Sequence, residues 1–101
     1  MTWTRILPLA DLEPGWVTPA QHGPRRFAVF DGRDGIRVTT ALCSHAGADL
    51  CQGYFTGTAI ECPLHQGLFD VPSGAAVGTP AIRAIKTFEC RTRDGFVEVL
   101  L

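Results

Sequence analysis

Three observations predict an all-β fold for this chain. Eleven glycines and seven prolines are spread along 101 residues, so no window offers the roughly twelve uninterrupted positions of an amphipathic helix. Arg26-Phe27-Ala28-Val29-Phe30 and the run Ile36 to Leu42 flank Asp31-Gly32-Arg33-Asp34-Gly35, whose two Asp-Gly pairs supply the positive-φ positions of a tight hairpin. Ile85 to Thr92 and Phe96 to Leu101 flank Arg93-Asp94-Gly95 in the same way and close the sheet system.

Taken in order, the N-terminal apolar stretch is cut by Pro8 and stopped by Asp11, too early for the core of a signal peptide. No run approaches the roughly 18 apolar residues of a membrane span. A cytoplasmic chain without a membrane partner is therefore expected. Nine basic and ten acidic side chains give a net charge of -1, which leaves no basic field for a nucleic acid backbone. Apolar residues make up 46% and charged ones 19%, enough to fill the core of one domain spanning 1–101. Between the hairpins the texture changes to glycines, cysteines and histidines, which reads as two functional loops at about 43–50 and 62–70. The segment Tyr54 to Glu61 is expected to be a short strand or hairpin joining them.

Four cysteines in a chain of this kind are metal ligands or buried thiols rather than a disulfide framework. Their spacing decides which. Cys43-x-His45 is followed by sixteen residues and then Cys62-x-x-His65, two short clips that each hold one thiolate and one imidazole. A short clip turns two side chains toward one centre, and the long segment between lets one loop face the other. Soft thiolates with imidazoles favour zinc or iron-sulfur chemistry over hard cations. Tetrahedral zinc is the alternative for these four side chains, although common zinc patterns use wider first clips.

The two clips resemble the Rieske signature, in which two cysteines hold one iron of a 2Fe-2S cluster and two histidines hold the other. The likeness extends to Gly47, Pro63, Gly67 and Gly78-Thr79-Pro80, which resembles the proline-containing loop, here about 78–80, that covers the cluster in this family. Gly53-Tyr54-Phe55 and the run Glu61 to Asp70 are similar to the small Rieske ferredoxins of bacterial aromatic-ring dioxygenase systems. The resemblance implies an antiparallel β-sandwich or barrel with a cluster-binding subdomain of two ligand loops. It further implies one Rieske 2Fe-2S cluster, with Cys43 and Cys62 on the first iron and His45 and His65 on the second.

With two ferric ions, two sulfides and two thiolates such a centre is neutral, whereas four thiolates would leave a dianion. Imidazole ligation therefore lifts the potential into a range of roughly -150 to +300 mV. Rieske proteins of the cytochrome bc type add a disulfide between the ligand loops; the matching positions here are Ala48 and Leu64. Their hydroxyl donors near the cluster correspond to Gly67 and Phe69, neither of which donates from a side chain. Fewer donors leave the added electron less stabilised, which predicts a potential near the low end and argues against quinol oxidation.

The resemblance implies an electron carrier rather than an enzyme. Its partners would be an NAD(P)H-dependent flavin reductase and a terminal aromatic-ring oxygenase. Docking would be transient, near His45 and His65, on a patch including Ala46, Leu64 and Pro80, with Gln66 and Leu64 shaping the loop rim. A Rieske subunit fixed in a larger complex such as a nitrite reductase is the alternative within redox chemistry. Cys51 and Cys90 read as small buried thiols, His22 as a surface residue in a turn-like stretch, and Trp3 and Trp16 as packing anchors.

Overall fold

Phe27, Ala28, Val29 and Phe30 are buried at four successive positions, which a strand permits only when both of its faces are covered. This strand is the spine of a computed structural model that describes residues 1–43, 47–64, 67–78 and 83–101. Among them eleven strands occur: β1 (Trp3–Pro8), β2 (Val17–His22), β3 (Arg25–Gly32), β4 (Gly35–Thr40), β5 (Tyr54–Phe55), β6 (Ala59–Glu61), β7 (Leu68–Asp70), β8 (Ala76–Gly78), β9 (Thr87–Phe88), β10 (Cys90–Arg93) and β11 (Phe96–Leu100). Two short 3₁₀ turns and no α-helix accompany them among the described residues, as the glycine and proline distribution predicts. No helix is long and apolar enough to cross a membrane among these residues.

Three antiparallel sheets form, in the orders β1-β11-β10, β2-β3-β4-β9 and β5-β6-β7-β8. The middle one separates two cores. Phe27, Val29 and Val38 pack with Ile6, Leu7, Val97 and Val99 of the first sheet. Ala28 and Phe30 face the other way, onto Phe55, Ile60, Phe69 and Val71. Burying each phenylalanine here contributes about 1.5 to 3 kcal/mol.

Both predicted hairpins are present, with two differences. Gly32 pairs with Gly35 around Arg33 and Asp34, yet only Gly35 has a positive φ, at 105°. Gly32 is needed for closeness instead: a Cβ there would stand 3.0 Å from the Gly57 carbonyl oxygen, which accepts the Arg33 N–H. The second turn is Asp94-Gly95, with φ of 52° and 81°, the two positive values of a type I′ turn. The strand expected over 85–92 is divided at Glu89. Its first part, β9, pairs with β4, and its second, β10, pairs with β11, so one run stitches two sheets together.

β8 lies outside the predicted elements, taking in Gly78 of the expected covering loop, and so do β1 and β2. Pro8 and Pro19 interrupt their patterns, but both lie on strands at a sheet edge, where a missing N–H removes no ladder bond. Leu68–Asp70, expected within the second loop, is strand. His22 is exposed as expected, but ends β2 rather than sitting in the turn beyond it. Trp16 meets Tyr54 edge to face at 5.7 Å, and Trp3 lies under the Arg91 guanidinium at 4.1 Å, which makes both packing residues.

On the outer face of the first sheet, Glu98 is nearly covered while its carboxylate takes the Arg91 Nε–H at 2.7 Å and faces Arg5 at 3.6 Å. The Arg91 hydrogen bond, with the charges of Arg91, Arg5 and Arg93, outweighs burial and holds the carboxyl below its ordinary range. A depressed folded-state value means stability that is present above the unfolded value and lost as pH falls through the folded one. Glu98→Gln should therefore lower the thermal midpoint at neutral pH, and the difference from the parent chain should close in acid below the carboxylate range. Thermal unfolding across pH checks this; an equal difference at both ends would assign the loss to packing.

Candidate metal centre

The two cysteine loops are built alike. Cys43 N–H donates to the Ala48 carbonyl at 2.7 Å, and Cys62 N–H donates to the Gly67 carbonyl at 2.7 Å. Each cysteine thus closes a loop onto the residue five positions on. One step outside, Leu42 bridges Asp49 and Glu61 pairs with Leu68. Gly47, at a φ of 66°, donates its N–H back to the Cys43 carbonyl at 2.9 Å and tightens the first loop.

The path between the loops is equally constrained. A 3₁₀ turn, Leu50–Gln52, follows the first loop and is capped by Asp49, whose carboxylate accepts the Cys51 N–H at 2.9 Å. Gly53 then passes so close to Glu61 that a Cβ would run into the Glu61 carbonyl oxygen. Only glycine lets the exit of one loop lie against the strand entering the other. Cys43 and Cys62 are 3% and 1% exposed, in the core that also holds Leu50, Phe55, Ile60 and Phe69.

Here the thiols meet. Burial pushes the Cys62 thiol upward, the Cys43 thiol beside it adds to that through a hydrogen bond and its charge, and the Leu64 N–H acts in the opposite sense. Two adjacent thiolates in an apolar core are unfavourable unless a cation neutralises them. The pair therefore suits a soft metal centre that binds thiolate. Among the described residues no group of three or more His, Cys, Asp or Glu side chains gathers, and the cysteine pair is what the structure describes of the four expected ligands.

Of the predicted ligands, the structure brings Cys43 and Cys62 together. His45 and His65 lie outside the described residues, as do Ala46, Gln66 and Thr79-Pro80 of the expected covering loop. Gly78, which leads toward that loop, ends β8 opposite Leu68, and a Cβ on it would stand 2.8 Å from the Leu68 Cβ. Leu64 is exposed, and so is Leu42, one residue before Cys43, which the sequence pattern did not single out. The other two cysteines are kept apart. Cys51 packs against the core of the loops and Cys90 against the other core, so they form no disulfide. Burial first, then the Asp49 charge, push the Cys51 thiol up to about 12, which keeps it protonated.

Comparison with known proteins agrees with this architecture. The family model described as the Rieske [2Fe-2S] domain matches residues 2–89. The ferredoxin component of the naphthalene 1,2-dioxygenase system of Pseudomonas putida is 37% identical over 92 residues, covering 91% of this chain and 88% of that one. The Sphingomonas yanoikuyae B1 ferredoxin superposes with a TM-score of 0.90 at 34% identity, covering 97% of each chain. A ferredoxin solved in complex with the oxygenase of carbazole 1,9a-dioxygenase superposes with a TM-score of 0.86 at 31% identity, covering 96% of this chain and 91% of its own. The zinc alternative falls with these matches. Sheets, paired loops and matched relatives converge: the chain belongs to the Rieske [2Fe-2S] family, as an electron-carrying ferredoxin whose cofactor is a Rieske-type 2Fe-2S cluster.

Proposed function

We propose that the protein is the ferredoxin of an aromatic-ring dioxygenase system, taking single electrons from an NAD(P)H-dependent flavin reductase and delivering them to a terminal oxygenase in the cytoplasm. The observation that carries this is the buried Cys43 and Cys62 pair, set by two matching loops. Its support is the likeness, over nearly the whole chain, to named dioxygenase ferredoxins, one of them solved with its oxygenase. When bound, the cluster supplies reversible uptake of one electron.

The chain's own residues do the rest. Cys43 and Cys62 hold one iron, and His45 and His65 hold the other. The loops about 43–50 and 62–70, with the covering segment near 78–80, form the cluster-binding part of one domain spanning 1–101. Phe55, Ile60 and Phe69 keep water from the sulfur side. Leu42 and Leu64 are exposed, and docking is proposed near His45 and His65 on a small apolar patch that would also take in Ala46 and Pro80. Such a patch fits redox encounters that bury less than about 1,200 Å² and separate readily.

A redox titration followed by electron paramagnetic resonance tests this reading. The expected result is a mixed-ligand signal in the reduced state with a midpoint near the low end of roughly -150 to +300 mV. His65→Ala should abolish that signal, and an unchanged spectrum would remove His65 from the ligand set. Phe69 is fully buried in the core that holds both cysteines. Phe69→Tyr should raise the midpoint where a crystal structure of the variant puts the hydroxyl within hydrogen-bonding reach of a cluster sulfur. An unchanged midpoint with the hydroxyl so placed would overturn the account of the low potential by missing donors.

A further inference from the structure

We infer that Arg26 and Asp49 are positioning residues that together set the geometry of the first ligand loop; the inference rests on Cys43 being a cluster ligand. The two loops are closed alike but anchored differently. The second springs from a ladder, with Ala59, Ile60 and Glu61 paired in turn to Asp70, Phe69 and Leu68. The first stands on the isolated bridge between Leu42 and Asp49. Side chains have to supply what the missing ladder does not.

Arg26, near the start of β3, grips both legs of that loop. Its backbone carbonyl accepts the Ala41 N–H at 3.1 Å on the leg leading in. Its Nη2 donates to Asp49 Oδ2 at 2.8 Å on the leg leading out. Asp49 Oδ1 is engaged at the same time by the Cys51 N–H at 2.9 Å. Leu50 N–H reaches the Ala41 carbonyl at 2.7 Å and joins the legs between these grips. A central, doubly buried strand thereby fixes where Cys43 stands relative to Cys62. With Arg26 about half exposed and Asp49 about a quarter, the grip tunes the loop rather than holding the fold.

Four variants of the cluster-loaded protein test it: Arg26→Gln, Asp49→Asn, the double variant and Arg26→Lys. Asparagine at 49 retains the oxygen that caps the 3₁₀ turn and replaces the charged Oδ2 acceptor with an NH2 that accepts nothing from Arg26. The measurements are the g values of the reduced state, the midpoint potential and the rate of bleaching by a chelator, with near-ultraviolet circular dichroism reporting the fold. Arg26→Gln and Asp49→Asn should shift the g values alike and bleach roughly two- to fivefold faster, the range open to a part-exposed pair. The double variant should be no faster than either single one, and Arg26→Lys should recover most of the loss.

Unchanged g values with midpoint shifts of opposite sign would reduce the pair to a charge effect and overturn the inference. Additive bleaching rates would do the same, as would a lowered thermal midpoint with an unaltered spectrum. Should Arg26→Gln fail to fold, Asp49→Asn and Arg26→Lys carry the test. A parent protein without any mixed-ligand signal would instead overturn the ligand assignment on which the inference rests.

Discussion

Two thiols held side by side in an apolar core are the constraint around which this molecule is arranged. Burial pushes the Cys62 thiol upward, and two thiolates side by side in such a core call for a cation. Bringing them together requires two loops from distant parts of the chain to face each other. The backbone meets that requirement with matched closures at Cys43 and Cys62 and with a glycine, Gly53, where the exit of one loop runs against the strand entering the other.

The sheets serve the same end at longer range. β3 is buried on both sides, so displacement of this strand would disturb two cores at once. The first ligand loop takes its bearings from that strand through Arg26, and the second takes its own from the β6 and β7 pair. Apolar side chains beside the cysteines are left uncovered at Leu42 and Leu64. A carrier that exchanges electrons by brief contact is served by this combination of a fixed interior and a small greasy rim.

Much of this was legible in the residues. The clip spacing points to Cys43 and Cys62, which the structure brings together, and the Asp-Gly pairs mark both hairpins because few dipeptides tolerate the positive φ of a tight turn. What escaped has physical reasons. β1 and β2 contain proline, which argues against a strand until the strand is known to lie at an edge. The division at Glu89 depends on which neighbours each half meets, and local pattern does not encode this. Gly32 looks like a turn residue but is small because another backbone passes close by. Arg26 and Asp49 are 23 positions apart, and nothing local marks them as partners.

The division into two cores bears on how the molecule is made. Ile6, Leu7, Phe27, Val29, Val38, Val97 and Val99 form a core that includes neither Cys43 nor Cys62. Its cohesion comes from apolar contact alone and owes nothing to iron. The core beneath the loops has both cysteines within it, and its packing is coupled to whatever those sulfurs bind. Making the holoprotein therefore couples the delivery of iron and sulfide to the packing of one core and not of the other. Loss of the cluster would bear directly on the core that holds both cysteines.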